Sequence, residues 1–102
     1  MHVISRKALV DFSRRFPDAR TPLDSWFRIA CEAEWCNIRD VRRVFPHADA
    51  VVVESGNTAT IFNIGGNKYR LVAAIHYNRQ KLFVLKVMTH KEYDAGRWKE
   101  SL

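Results

Sequence analysis

Hydrophobic positions in the first half of the chain recur every three or four residues, the spacing of one face of an α-helix. A first helix is predicted between Ser5, a good N-cap, and Pro17, through which a helix cannot continue. Thr21 followed by Pro22 predicts the start of a second helix, and residues 38–45 predict a short third one. The chain is therefore expected to begin with two or three helices.

The second half changes to β-rich segments that are separated by turn residues. The segments are AVVVE, TATIFNI, KYRLVAAIHY and KLFVLKV, and connections this short join antiparallel neighbours. Thr89 and Glu92 have the spacing of a capping box and predict a short C-terminal helix. We therefore predict one α+β domain over residues 1–102, with N-terminal helices packed on one face of a four-stranded, mainly antiparallel sheet.

Strand alternation predicts which side chains share a face of this sheet. The apolar residues expected on the helix side are Tyr69, Leu71, Ala73, Ile75 and Tyr77 of the third strand with Phe83, Leu85 and Val87 of the fourth. These two sets lie on the same side if Tyr77 is opposite Lys81 around a three-residue turn. A slip of one residue would expose the core set, so this register is favoured.

The same register gathers positive charge on the other side of the sheet. It places Lys68, Arg70 and Lys86 there, with His90 just beyond the strand end. The net charge of the chain is +6, and residues 55–91 contain no Asp or Glu. The pattern predicts a cationic surface of the kind that accepts a phosphodiester backbone. The plain alternative is a surface histidine and tyrosine on an ordinary basic domain.

RNA cleavage on such a surface needs no metal, because the 2′-OH can attack its own adjacent phosphate. The protein must accept a proton from that hydroxyl, stabilise the phosphorane and protonate the departing 5′ oxygen. His90 can exchange protons near neutral pH, and Arg70 and Lys68 can hold non-bridging oxygens. Tyr93, one helical turn from His90, can hydrogen-bond to a base or stack on it.

Other chemistries fit the sequence less well. The four histidines are scattered without metal-binding spacing, and IGGNKYR lies between strands, which predicts a tight turn rather than a nucleotide-phosphate loop. We therefore expect neither a metal nor a cofactor. No apolar run predicts a signal peptide or a membrane span. Cys31 and Cys36 do not have zinc-site spacing, and two unpaired thiols suit a reducing cytoplasm.

At IFNIGGNKYRLVAAIHY and VLKVMTHKEYDAG the sequence closely resembles the HigB family of toxins, within the RelE-like mRNA interferases. MHVISRKAL and RRVFPHAD extend the resemblance along nearly the whole chain. It implies a RelE-like fold, with helices on a twisted antiparallel sheet and the active surface on the other face. It also implies metal-free cleavage of mRNA, usually in the ribosomal A site on the 30S subunit. The expected partner is an antitoxin, HigA, which carries a helix-turn-helix and binds operator DNA with the toxin attached.

The resemblance also suggests roles for individual residues. Arg70 is expected on the transition-state phosphate, His90 in proton transfer, and Tyr93 in positioning or stacking. The residues expected to bind phosphate or RNA, some of them sharing in proton transfer, are Lys68, Lys86, Lys91, Asn67 and Arg79. Which group is the general acid and which the general base stays open. Two other readings remain: a non-catalytic RNA- or ribosome-binding module, and an inactivated toxin retained as a repression partner.

Overall fold

A five-stranded mixed sheet is the centre of the computed structural model, which describes residues 1–102. Its strands, in the spatial order β1-β5-β4-β3-β2, are β1 (His2–Ile4), β2 (Asp49–Val52), β3 (Thr58–Ile64), β4 (Tyr69–His76) and β5 (Lys81–Thr89). The α+β class and the antiparallel order of β2 to β5 are confirmed. The count of four strands is wrong, because β1 adds a fifth strand parallel to β5.

Three helices precede the meander and one follows it. They are α1 (Arg6–Arg15), α2 (Arg20–Glu32), α3 (Ile38–Val44) and α4 (His90–Ala95). The Ser5 cap of α1 and the capping box of α4 are both confirmed. The predicted start of α2 is wrong: a 3₁₀ segment at Pro17–Ala19 runs straight into the helix, so Thr21 lies inside its first turn. Pro22 is tolerated there because the first N–H groups of a helix have no intrahelical partner. None of the helices has the length and apolar character that a membrane-spanning segment requires.

The main core lies between the helices and one side of the sheet, which we call the helix face. Leu71 and Ala73 of β4 are fully buried there against the helices. Trp26 of α2 meets Phe62 of β3 edge to face, with ring centroids 5.3 Å apart. The prediction that the helices cover one side of the sheet is confirmed.

The other side of the sheet, which we call the second face, has a smaller apolar cluster. Its sheet residues include Ile61, Val72 and Met88, and Trp98 covers them. Trp98 belongs to a 3₁₀ segment, Arg97–Ser101, that follows α4. The C-terminal segment therefore packs on the second face, a feature that sequence periodicity did not predict.

The β4–β5 hairpin differs from the predicted register by one residue near its turn. Lys81 pairs with His76 rather than with Tyr77, and a β-bulge between Val72 and Ala73 brings Val72 opposite Lys86. The turn is one residue longer than predicted, and Gln80 closes it in the left-handed region. The helix face of β5 consequently carries Leu82, Val84 and Val87. Of the predicted residues Phe83, Leu85 and Val87, only Val87 lies there. Beyond the bulge the parity is as predicted, so Lys86 shares the second face with Arg70.

Candidate active site

Arg70 is a buried cation on the second face, with only 8% of its surface exposed. Its Nη1 donates to the carbonyl oxygens of Tyr69 (3.0 Å) and Asn67 (3.3 Å), and its Nη2 donates to Asn67 Oδ1 (2.6 Å). It takes part in no ion pair. Neutral acceptors orient a guanidinium without cancelling its charge, so Arg70 is prepared to bind an anion.

The turn between β3 and β4, residues 65–68, which we call the glycine turn, supplies the two acceptors of Asn67, and β4 supplies the carbonyl of Tyr69. Gly65 and Gly66 have φ values of 63° and 69°, a left-handed conformation that glycine adopts at little steric cost. The predicted tight turn is confirmed, and it brings Asn67 back over the start of β4. Asn67 was expected to contact phosphate directly. In the structure its side chain instead holds the guanidinium that would do so.

His90 begins α4, and the next helical turn provides a partner for its imidazole. His90 Nδ1 lies 3.0 Å from a carboxylate oxygen of Asp94. The Asp94 carboxylate restrains the imidazole from the Nδ1 side and leaves Nε2 available to a substrate. The imidazole is 39% exposed. The backbone N–H of His90 donates to the carbonyl oxygen of Lys68 at 3.0 Å, which ties α4 to the glycine turn.

Tyr93 connects α4 to Arg70. The guanidinium carbon of Arg70 lies 5.5 Å from the centre of the Tyr93 ring, within the range of a cation–π contact. The ring also stacks on Trp98 at 5.4 Å, and Trp98 Nε1 donates to the Tyr93 carbonyl at 3.1 Å. Burial, with a smaller contribution from the negative charge of Asp49, raises the pKa of the Tyr93 hydroxyl. That hydroxyl therefore stays protonated at neutral pH and is suited to donate a hydrogen bond.

Lys68 does not join Arg70 on the second face. Its ammonium lies 3.2 Å from a carboxylate oxygen of Asp18, in the helix layer. The prediction that Lys68 and Arg70 share a side of the sheet is wrong, because Lys68 precedes β4 and lies in the turn, where strand alternation does not apply.

The other predicted contacts spread around the site. Lys86 lines a groove of about 550 Å³ together with Glu92, Arg97 and Trp98. Lys91 is exposed on α4, next to His90. Arg79 lies in the hairpin turn at the opposite end of β4, roughly 20 Å from Arg70 at the usual rise of a strand. Arg79 therefore does not belong to the same cluster.

Sequence reasoning missed three residues that shape the site. Asp94 could have been found, because it lies four residues after His90 in a predicted helix, where side chains meet. Trp98 lies beyond the predicted helix and carried no signal of its own. Asp18 is separated from Lys68 by 50 residues, and no local pattern brings them together.

Helices on one sheet face and an unpaired, buried guanidinium on the other define a small basic α+β protein with a candidate site for an anion. Residues 19–96 match the HigB toxin family, described as the RelE-like toxic component of a toxin–antitoxin system. The chain is 34% identical over 94 residues to the mRNA interferase toxin HigB of Escherichia coli (strain K12), covering 92% of this chain and 88% of that protein. It is 29% identical over 94 residues to the mRNA interferase HigB of Escherichia coli O6:H1 (strain CFT073), covering 92% and 89%. The chain belongs to the HigB family of RelE-like toxins, and membership implies a partner antitoxin.

Proposed function

We propose that this protein is a metal-independent endoribonuclease that cleaves mRNA on the translating ribosome. The 2′-OH of one nucleotide attacks the adjacent phosphate, and a HigA-like antitoxin neutralises the activity. The observation that carries the proposal is the guanidinium of Arg70, which is buried, unpaired, and held beside the helix that starts with His90. The names of the relatives, mRNA interferases, support the same chemistry.

Arg70 stabilises the phosphorane in this mechanism. A guanidinium has five N–H groups, and the turn and strand occupy three of those of Arg70. The remaining donors can bind a non-bridging oxygen, whose charge increases as the 2′ oxygen attacks. Donors fixed in advance toward such a charge typically contribute about 100- to 1000-fold to kcat.

His90 carries out one of the two proton transfers through Nε2, with Asp94 holding the ring in place from the other side. Tyr93 positions the guanidinium and can donate a hydrogen bond from its protonated hydroxyl. Lys86 and Lys91 contribute positive charge around the site and favour the phosphates on either side of the scissile one.

Ribosome dependence follows from the small number of reacting groups in the site. An enzyme with few proton-transfer groups gains most when its substrate is held in an attack-ready conformation by another body. The 30S A site would hold the mRNA in this way, in the cytoplasm. Operator DNA would be bound through the antitoxin and not by this chain itself.

Expression of the Arg70→Ala variant without antitoxin tests the proposal. We expect growth inhibition to disappear while the fold and antitoxin binding remain. Arg79→Ala, at the other end of the hairpin, is the matched control and should stay toxic. A fully toxic Arg70→Ala variant would show that the site is misplaced. Equal cleavage of naked RNA and of mRNA on translating ribosomes would refute ribosome dependence.

A further inference from the structure

Asp18 connects the helix layer to the segment that carries Arg70. It lies in the 3₁₀ segment Pro17–Ala19 between α1 and α2. One of its carboxylate oxygens accepts a hydrogen bond from the Tyr69 hydroxyl, and the other accepts one from the Lys68 ammonium at 3.2 Å. These two bonds hold adjacent residues at the entrance to β4.

The backbone of the same two residues holds the candidate active site together. The carbonyl oxygen of Tyr69 accepts from Arg70 Nη1 at 3.0 Å, and the carbonyl oxygen of Lys68 accepts from the backbone N–H of His90 at 3.0 Å. Lys68 and Tyr69 are therefore bound by Asp18 through their side chains, and by Arg70 and His90 through their carbonyl groups.

The glycine turn before these residues has little rigidity of its own. Two consecutive glycines in the left-handed region leave the free chain many other conformations, so the turn is fixed by the contacts around it. The ring of Tyr69 packs against Phe12 and Phe16, which restrains its position in the core. The bonds to Asp18 are the polar contacts that fix the orientation of the Lys68 and Tyr69 side chains.

We propose that Asp18 is a positioning residue, which fixes the guanidinium of Arg70 and the first residue of α4 relative to each other. The inference rests on the proposed function, in which Arg70 binds the scissile phosphate. Asp18 acts at a distance, through the backbone of Lys68 and Tyr69, and touches no substrate. We call the two hydrogen bonds from Lys68 and Tyr69 to Asp18 the Asp18 clamp. Because a displacement of about 1 Å can cost on the order of 100-fold in rate, loss of this clamp should lower kcat more than it raises KM.

The test compares Asp18→Ala with Asp24→Asn, which alters an exposed carboxylate paired with Arg20 on α2. Cleavage of ribosome-bound mRNA is measured at a temperature at which circular dichroism shows each variant to be folded. We expect kcat of Asp18→Ala to fall about tenfold or more, with KM changed less than about twofold, and the control to match wild type. A folded Asp18→Ala variant with wild-type kcat would overturn the inference.

Two further experiments separate this inference from the proposed function. In an Arg70→Ala background, Asp18→Ala should lower kcat by a smaller factor than it does in wild type; an equal factor in both backgrounds would show that Asp18 does not act through Arg70. The Nε–H resonance of Arg70 in a ¹H–¹⁵N spectrum should shift in Asp18→Ala and in the milder Tyr69→Phe, but not in Asp24→Asn. This spectrum tests the clamp even if wild type cleaves no RNA, a result that would refute the proposed function alone. An unmoved Arg70 resonance in both variants would refute the clamp.

Discussion

Replacing Arg70 by lysine separates the charge of this side chain from its shape. Lysine keeps a positive charge, but it has one terminal nitrogen in place of the planar fork that reaches Tyr69 O and Asn67 Oδ1 together. If a guanidinium fixed by neutral acceptors is the essential feature, Arg70→Lys should behave almost as poorly as Arg70→Ala. If positive charge alone suffices, the lysine variant should retain most of the activity.

The expected magnitudes follow from the contacts. Losing one preorganised donor to a developing oxyanion costs about 2.7–4 kcal/mol, or roughly 100- to 1000-fold in kcat. Lysine can replace one of the three hydrogen bonds of Arg70, and two lost bonds at about 0.5–1.5 kcal/mol each amount to roughly 1–3 kcal/mol of stability. In a domain of this size that loss lowers Tm by roughly 5–20 °C.

Single-turnover cleavage of ribosome-bound mRNA, well below the Tm of the variant, isolates the chemical step from stability. Arg79→Lys makes the same exchange in the hairpin turn, away from the site, and should leave the rate unchanged. A rate for Arg70→Lys within about threefold of wild type, where an essential fixed donor demands at least about 100-fold, would refute the argument from shape.

The remaining predictions concern the groups around Arg70. Asp94→Asn removes the charge that orients His90 and should lower kcat by part of the roughly 100- to 10,000-fold that a positioned proton-transfer group contributes; an unchanged single-turnover rate would exclude that role. The Tyr69 hydroxyl and the Lys68 ammonium hold the pKa of Asp18 below its ordinary 3.8. The stability that Asp18 contributes is therefore fully present above pH 3.8 and is lost as the pH falls through the lower pKa of the folded state. Thermal melts at pH 7 and pH 3 should therefore show a larger acid-induced loss in wild type than in Asp18→Asn, and equal losses would contradict this. The bond to Asp18 raises the pKa of Tyr69 above 10.0, so its contribution is present below pH 10 and lost as pH rises through the folded value; Tyr69→Phe should remove that alkaline loss. Tyr93→Phe keeps the ring and should retain more of the wild-type kcat than Tyr93→Ala, which also loses a cation–π contact of roughly 0.5–2 kcal/mol; equal rates for both variants would show that the ring does not position Arg70.

Local patterns predicted the parts of the fold that depend on neighbouring residues. The bounds of β3, the Ser5 cap and the capping box of α4 follow from alternation and from spacings within a few residues. β1 could not be predicted in this way, because three residues are too few for a period to be read. Its partners, Lys81 to Phe83, lie almost eighty residues away in the chain.

The β4–β5 register shows how a correct placement can come from a wrong pairing. The predicted parity of the two strands holds only beyond the bulge, from Val72 opposite Lys86 onward; between the bulge and the turn, Leu82 and Val84 face the helices in place of Phe83 and Leu85. The longer turn, and the extra residue in β5 that restores the predicted pairing, could not be foreseen, since a bulge leaves no distinct mark in an alternating pattern. Lys86 therefore lies on the predicted face, while Phe83 and Leu85 do not.

The candidate site was predictable where residue type and element ends coincide. Arg70 follows the glycine turn, and Tyr93 lies in the capped helix that begins at His90, so the contact between Arg70 and this helix could be inferred from the sequence. The position of the Lys68 side chain could not be inferred, because its ammonium binds Asp18 in the helix layer. Side chains in turns are placed by their long-range partners, and one sequence does not reveal those partners.

The energetics of Arg70 favour the proposed anion site over a purely structural role. An arginine that serves stability alone does so best with a carboxylate partner, because burying an unpaired charge costs several kcal/mol. Here the acceptors of Arg70 are two carbonyl oxygens and an amide oxygen. The carboxylate of Asp18 binds the side chains of the neighbouring Lys68 and Tyr69 instead. The fold thus keeps a full positive charge in a fixed orientation at some cost in stability. A phosphate entering the site would supply the missing partner, and its charge increases as the 2′ oxygen attacks, so the interaction strengthens most in the transition state.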